Sequence, residues 1–88
     1  MKVVISPLAK KQFRRLPKLV QFSLTRKIRN LVNEEELTGI KPLVRFKNVY
    51  RIRVGDFRMV YKKFPDKYFV ILVEHRKGVH ESLKRVWR

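Results

Sequence analysis

Cysteine is absent from this sequence of 88 residues, so disulfide bonds and thiol chemistry are excluded. Acidic residues are scarce, and residues 1–30 contain none. The longest apolar run, Tyr68 to Val73, is far shorter than a membrane span. Only three apolar residues follow Met1-Lys2, so no signal peptide is expected. These absences favour a cytoplasmic protein with no membrane partner.

The scarcity of acids leaves 23 Lys and Arg against 7 Asp and Glu, a formal net charge of +16. The positive charge is spread along the chain, which excludes a basic tail on a neutral domain. Hydrophobic residues make up 44% of the sequence, enough for one folded domain over residues 1–88. An acidic protein, an anionic membrane or a nucleic acid would relieve the self-repulsion, and nucleic acid is the usual partner of a basic globular domain.

Residues 49–61 alternate between apolar and basic side chains around Gly55-Asp56, which predicts a β-hairpin with a type II′ turn. A two-residue loop places Arg53 directly opposite Arg58. One face of the hairpin then carries Tyr50, Ile52, Val54, Phe57, Met59 and Tyr61. The other face carries Arg51, Arg53, Arg58 and Lys62. Because like charges directly opposite each other destabilise a strand pair, an anion outside the chain would explain this arrangement.

Ser6-Pro7 predicts the start of a helix, with serine as the N-cap, directly after a short strand at Lys2–Ile5. Pro17 ends this helix, and an apolar stripe predicts a second helix from about Lys18 to Glu35. Two helices joined at a proline indicate a helical hairpin. The three glutamates at 34–36 are interpreted as a solvated helix end, because carboxylates that splay around a helix bind a metal only weakly. No metal site and no cofactor is predicted.

The second half of the chain is predicted to be mostly strand. Residues 37–48 are interpreted as a loop, the hairpin strands lie near 49–54 and 57–63, and Tyr68 to Glu74 is expected to be a central strand. A final helix from about His80 is expected to bury its apolar residues Leu83, Val86 and Trp87. The element order β-α-α-β-β-β-α predicts a small α+β domain. Its helical hairpin packs on one face of an antiparallel sheet and leaves the basic face open.

Arginines on a rigid strand pair suit phosphate binding, because the guanidinium group is a planar, two-pronged donor. Arg76 leaves the neighbouring strand and is expected to join the hairpin arginines. RNA carries its own nucleophile, the 2′-OH, so cleavage needs charge stabilisation and a group that titrates near neutral pH. His75 and His80 qualify, and His80 is the better candidate because it follows the Gly78 bend. A solvated charged face and a partly buried His75 at a strand end are the alternatives without function.

The hairpin motif, the segment Val73 to His80 and the opening Ile5 to Phe13 resemble the RelE toxin superfamily of toxin–antitoxin systems. The resemblance covers nearly the whole chain and matches the element order. It implies a metal-independent endoribonuclease, an mRNA interferase that enters the ribosomal A site and cuts mRNA through 2′-OH attack. The implied partners are the ribosome, mRNA and a small acidic antitoxin similar to RelB. The antitoxin is expected to displace the last helix.

The resemblance also implies a role for each basic position. Arg58 and Arg76 are expected to stabilise the transition-state phosphate. Arg51 and Arg53 match positions often occupied by lysine, with a base or positioning role. His80 stands where some members carry a tyrosine and is expected to keep its base or stacking role. The implied catalytic set is therefore Arg51, Arg53, Arg58, Arg76 and His80. The implied RNA-binding set is Arg51, Arg53, Arg58, Lys62, His75 and Lys77.

Two other functions fit the same sequence. A ParE-like toxin shares the scaffold but poisons DNA gyrase and does not cleave RNA, and the set of four arginines favours the nuclease over it. A non-catalytic basic RNA-binding module, such as a ribosome-associated protein, fits the composition equally well. Such a module would bind ribosomal RNA in a salt-sensitive way, without cleavage and without toxicity.

Overall fold

The structure, a computed structural model, describes residues 1–35 and 39–86. The elements in these ranges are β1 (Lys2–Ile5), α1 (Pro7–Arg14), α2 (Lys18–Val32), β2 (Ile40–Pro42), β3 (Val49–Val54), β4 (Phe57–Lys63), β5 (Lys67–His75) and α3 (Val79–Val86). They form one sheet with the strand order β1-β5-β4-β3-β2. The predicted α+β class is confirmed. Of the described helices, none has the length and apolar character needed to cross a membrane.

Ser6 begins α1 as the sequence predicts. Its Oγ accepts a hydrogen bond from the Ala9 amide at 3.0 Å and donates one to the Ile71 carbonyl at 2.7 Å. The serine is 8% exposed, so both bonds are shielded from water. One hydroxyl therefore caps the helix and also ties it to β5.

Replacing Ser6 by alanine is expected to lower the free energy of unfolding by about 1–3 kcal/mol, because a helix cap and a donor to a buried carbonyl are lost together. Chemical denaturation measures the change. Ser23→Ala on α2 is the matched control, since the Ser23 side chain has no described hydrogen bond. Equal stability of the two variants would contradict the double role of Ser6.

The helical hairpin covers one face of the sheet, here called the helix face. Leu24 and Leu31 of α2 belong to the same buried cluster as Ile52 and Met59 of the β3–β4 hairpin. This packing confirms the predicted apolar side of that hairpin. The opposite side of the sheet, here called the second face, carries the basic side chains of the hairpin.

The second helix ends three residues earlier than predicted. α2 stops at Val32, Asn33 is its C-cap, and Glu34 has a φ of +56°, a left-handed conformation that cannot continue a helix. Glu34 and Glu35 are exposed, as expected for a solvated helix end. Glu36, the third glutamate of the run, lies outside the described residues.

Two features of the sheet differ from the prediction. β1 pairs parallel with β5, with Val3 beside Tyr68, so the sheet is mixed and not antiparallel. The segment expected to be a loop contributes β2, which pairs with β3 and sets Lys41 opposite Arg51. The three residues of β2 are too few to show the alternation of a strand. The pairing of β1 with β5 joins distant parts of the chain, so no local sequence pattern indicates it.

The second face is not fully open, because α3 covers part of it. Val79 and Leu83 of α3 are buried in one cluster with Val60 of β4. β5 is therefore covered on both faces, which explains its nearly continuous apolar run. The predicted burial of Leu83 is confirmed, whereas Val86 is 46% exposed and the prediction for it is wrong. Trp87 lies outside the described residues.

Three tyrosines pack together on the helix face. Tyr50 and Tyr61 are stacked, with ring centroids 5.6 Å apart and 24° between the ring planes. Tyr68 meets Tyr61 edge-on, at 5.6 Å and 81°. Burial, and then the neighbouring Tyr68 and Tyr50, raise the pKa of Tyr61 to about 12.

The pKa of Tyr61 predicts a loss of stability at high pH. An unfolded tyrosine loses its proton near pH 10, so between pH 10 and about 12 the unfolded chain binds fewer protons than the folded one. The free energy of unfolding is therefore expected to fall across this window. Denaturation of the wild type and of Tyr61→Phe at several pH values measures the effect. If the two proteins lose stability equally between pH 10 and 12, Tyr61 is not its source.

Candidate nucleic-acid interface

The β3–β4 hairpin holds basic side chains in fixed opposition. Its register is the predicted one, with Arg53 directly opposite Arg58. Gly55 has a φ of +56° and Asp56 has no positive φ, which is the pattern of the predicted type II′ turn. A two-residue turn allows only one register between the two strands. The two arginines therefore stay side by side on the second face.

The guanidinium group of Arg58 lies over the hairpin turn. Its Nη1 donates to the carbonyl oxygens of Gly55 at 2.8 Å and Phe57 at 3.0 Å. These two hydrogen bonds hold the guanidinium group by its Nη1 atom and so fix the direction of the Arg58 side chain.

The pKa of Arg58 is lowered by two effects, burial first and neighbouring positive charge second. Burial lowers the pKa, and the positive charges of Arg51, Arg53 and Arg76 lower it further. Asp56 acts in the opposite direction and raises the pKa. Because an arginine keeps its charge in proteins, the three arginines that act on Arg58 concentrate positive charge here.

Arg76, directly after β5, meets the hairpin turn through Asp56. The Arg76 amide donates to the Asp56 carbonyl at 2.7 Å, and its Nε lies 3.8 Å from Asp56 Oδ1. Both side chains are more than half exposed, so this ion pair contributes little to stability. The structure thus brings together all four arginines predicted for the site, which we call the arginine cluster: Arg51, Arg53, Arg58 and Arg76.

His80 lies in the first turn of α3, exposed, at the edge of a groove of about 570 Å³. Leu43 and Phe46 form apolar walls of this groove, and Arg45 and Lys84 also line it. Apolar and aromatic side chains next to basic ones are the combination by which proteins hold single-stranded RNA. His80 therefore lines a groove of this character, and its helix packs on the same face of the sheet that carries the arginine cluster.

The structure does not bring His75 to the arginine cluster. Its ring meets the Phe57 ring edge-on at 5.6 Å and 81°, and its Nδ1 accepts a hydrogen bond from the Lys77 amide at 3.2 Å. The reason is a β-bulge, because Val60 pairs with Leu72 whereas Tyr61 pairs with Val70. An extra residue in a strand exchanges the two faces for every residue after it. His75 consequently lies on the helix face.

The two predicted lysines lie at opposite ends of the surface. Lys62 is on the second face, four residues along β4 from Arg58, a separation of about 13 Å at strand spacing. Lys77 is exposed in the turn between β5 and α3, next to Arg76. Lys77 therefore lies beside the arginine cluster, while Lys62 extends the positive surface away from it.

A family model described as "ParE toxin of type II toxin-antitoxin system, parDE" matches residues 3–79. The chain belongs to the RelE/ParE superfamily of toxins. The superfamily membership predicted from the hairpin motif is confirmed by this match. Among curated proteins, none matches this toxin in sequence.

Solved structures of RelE toxins share the fold of this toxin. The RelB–RelE antitoxin–toxin complex from Methanococcus jannaschii has a TM-score of 0.79 at 23% identity, covering 90% of this chain and 96% of that chain. A double mutant of the E. coli RelE toxin in the free state has a TM-score of 0.75 at 23% identity, covering 97% and 96%. The archaeal RelE–RelB complex from Pyrococcus horikoshii OT3 has a TM-score of 0.68 at 20% identity, covering 85% and 93%. At these identities the likeness concerns the fold.

Two further residues of the toxin lie on the second face near the arginine cluster, Lys41 and Glu74, and the sequence gives no signal for Lys41. Lys41 of β2 lies opposite Arg51 and adds a cation to the second face. Glu74 lies opposite Arg58, because the same bulge turns it to the second face, and its Oε2 is buried without a hydrogen-bond partner among the described residues. A Cβ at Gly78 would lie 3.3 Å from the Glu74 Cδ, so the glycine makes room for this carboxylate. In residues 1–35 and 39–86, no three His, Asp or Glu side chains are grouped to hold a metal.

Proposed function

We propose that this toxin is a ribosome-dependent endoribonuclease that cleaves mRNA in the A site and so inhibits translation. The observation that carries the proposal is the arginine cluster, in which Arg53 and Arg58 are held directly opposite each other. The fold gains no stability from this opposition. A phosphodiester bound across the hairpin would replace the repulsion with charge-assisted hydrogen bonds.

The nucleophile in this reaction is the 2′-OH of the RNA itself. Its oxygen attacks the adjacent phosphorus and the bond to the 5′ oxygen breaks, which leaves a cyclic 2′,3′-phosphate and a free 5′-OH. Arg58 and Arg76 stabilise the negative charge that develops on the phosphate oxygens. Arg51 and Arg53 position the RNA backbone. His80 exchanges protons with the reacting oxygens, because an imidazole can act as general acid and general base and its helix packs on the face that carries the cluster.

We assign the toxin an acidic antitoxin as its partner. Two of the three solved structures described above are complexes of RelE with RelB. A net charge of +16 complements an acidic chain and speeds its association. α3 is amphipathic: it buries Leu83 against the sheet and leaves Val86 46% exposed. Because only part of its apolar surface is buried, we infer that an antitoxin segment displaces this helix. Ribosome and mRNA as targets place the toxin in the cytoplasm.

A gyrase poison is the second candidate, because the matching family model is that of the ParE toxin. The arginine cluster favours the nuclease, since Arg58 and the three arginines whose charges act on it would stabilise a phosphodiester during cleavage. Gyrase-dependent DNA damage on expression, with intact mRNA, would reverse this order.

Cell-free translation with the purified toxin, followed by primer extension along the mRNA, tests the proposal. Cuts within A-site codons that appear only when ribosomes translate the message are the expected result. Translation arrest without cuts would indicate a ribosome-binding protein that is not a nuclease. Unchanged translation would contradict both of these functions and direct the search to gyrase.

The two histidines are expected to differ in their effect on cleavage. His80→Ala should lower the single-turnover cleavage rate by about 10²-fold, within the range of general acid–base catalysis. His75→Ala should leave the rate nearly unchanged, because that ring lies against Phe57 on the helix face. Single-turnover assays on programmed ribosomes measure both rates. An undiminished rate in His80→Ala would remove His80 from the mechanism.

A further inference from the structure

Glu74 of β5 carries a carboxylate oxygen that the fold buries without a partner. Its Oε2 atom is shielded from water, and no residue in the ranges 1–35 and 39–86 donates a hydrogen bond to it. Among those residues, no other buried side-chain nitrogen or oxygen atom lacks a partner. Burial of a charged oxygen without a partner costs free energy, because the water that solvates it is removed and nothing replaces it. Glu74 is therefore a local destabilising feature of the folded toxin.

Two arginines of the cluster lie beside Glu74 in the sheet, but neither pairs with it. Arg58 is directly opposite in the register, and its Nη1 donates to carbonyl oxygens of the hairpin turn instead. Arg76 follows two residues later in the chain, and its Nε lies 3.8 Å from Asp56 Oδ1. The position of the carboxylate therefore follows from packing and not from ion pairing.

The turn that leads into α3 passes directly over this carboxylate. A Cβ at Gly78 would lie 3.3 Å from the Glu74 Cδ and 3.5 Å from each of its carboxylate oxygens. α3 begins at the next residue, Val79, and packs on the second face through Val79 and Leu83. The contact indicates that the turn shields Oε2 from water. The burial of this oxygen therefore depends on α3 being docked on the sheet.

We propose that Glu74 weakens the docking of α3 and so sets how often this helix opens in the free toxin. Closing the helix buries Val79 and Leu83, which favours the closed state, but it also desolvates a carboxylate oxygen, which favours the open state. The dipole of α3 attracts a carboxylate near its first turn. Without a hydrogen bond to the helix amides, that attraction is weaker than the cost of desolvating the charge.

Opening of α3 changes the face that carries the arginine cluster. His80 lies in the first turn of the helix, so it leaves the second face together with α3. Val60 and Leu72, which form one buried cluster with Leu83, become accessible as an apolar surface. An apolar segment of a partner can occupy this surface in place of α3. The inference concerns the toxin alone and does not depend on the proposed nuclease activity.

Native-state amide hydrogen exchange of the full chain tests the proposal. The amides of α3 report opening of the helix, and the amides of β4 report global unfolding. Glu74→Gln keeps the size of the side chain and removes its charge, so α3 should open at least about fivefold less often, relative to β4. Equal or more frequent opening in this variant would overturn the proposal. Exchange of α3 only together with β4 in the wild type would also overturn it, because the helix would then have no separate opening.

Glu81→Gln is the matched control, since Glu81 is exposed in the first turn of α3 and its substitution removes the same charge. This variant relieves no buried oxygen, so its α3 should open at least as often as in the wild type. A decrease in opening equal to that of Glu74→Gln would assign the effect to net charge and contradict the role of Glu74.

Gly78→Ala tests the same contact in the opposite direction. The backbone of Gly78 is outside the left-handed region, so alanine fits it without strain, and the added methyl group presses on the carboxylate. α3 should therefore open more often in Gly78→Ala than in the wild type. In the Glu74→Ala background, the same substitution should have little effect. An equal effect in both backgrounds would show that the turn does not close over Glu74.

Discussion

Replacing both Arg58 and Arg76 by alanine is expected to lower the rate of A-site cleavage by at least about 10³-fold, because a single positioned donor to a developing oxyanion is already worth about 10²–10³-fold. Burial, and then the positive charges of Arg51, Arg53 and Arg76, lower the pKa of Arg58, which places it among the other arginines of the cluster. Arg76 is held against the hairpin turn by the hydrogen bond that its backbone amide donates to the Asp56 carbonyl. Primer extension on mRNA programmed into ribosomes measures the rate, and growth inhibition on expression provides a second readout.

The matched control for this pair is Arg26→Ala/Arg29→Ala. Both of these arginines are exposed on α2, on the other side of the molecule from the cluster, and their removal changes the net charge by the same amount. Cleavage by the control should remain close to that of the wild type. A folded Arg58→Ala/Arg76→Ala variant that stays fully toxic would show that the mechanism is wrong. Lysine at both positions should give an intermediate rate, since charge is kept and the planar fork is lost.

Replacing Leu24 by alanine is expected to lower the free energy of unfolding by about 2–5 kcal/mol, the range found for leucines in closed cores. Leu24 is 0% exposed and belongs to the cluster that joins α2 to Ile52 and Met59 on the helix face. Small domains have about 5–15 kcal/mol of stability in total. The variant should therefore unfold at a markedly lower denaturant concentration.

Leu19→Ala on the same helix is the control for this prediction. Leu19 is 82% exposed, so the same chemical change should alter the free energy of unfolding by less than about 0.5 kcal/mol. Urea denaturation followed by circular dichroism measures both variants. Similar losses at the two positions would mean that α2 does not pack on the sheet through Leu24.

The parts of the site that could be predicted are those with a short-range cause. The hairpin register follows from a two-residue turn, so the opposition of Arg53 and Arg58 can be derived from the sequence. The position of His75 could not be derived, because strict alternation from Tyr68 assigns it to the second face. The bulge near Leu72 reverses that assignment, and it arises where β5 must present consecutive apolar residues to α3.

The sequence does indicate one long-range feature, the burial of β5 on both of its faces. The nearly continuous apolar run of β5 is typical of a strand that is buried on both faces. A second face exposed to solvent would contradict that pattern. In the structure, α3 packs against β5 on this face. The amphipathic final helix and the apolar strand are each visible in the sequence. Their contact is not, because many packings would bury the same residues.

By itself, the sequence determined the hairpin with its type II′ turn, the Ser6 cap of α1 and the positive charge of the second face. Each of these depends on residues a few positions apart, so local geometry and composition are sufficient. Only the tertiary structure decided that β1 pairs parallel with β5, that β2 extends the sheet and that Arg76 meets Asp56. These contacts join distant parts of the chain, and their free energy comes from burial and pairing that exist only once the whole domain has folded.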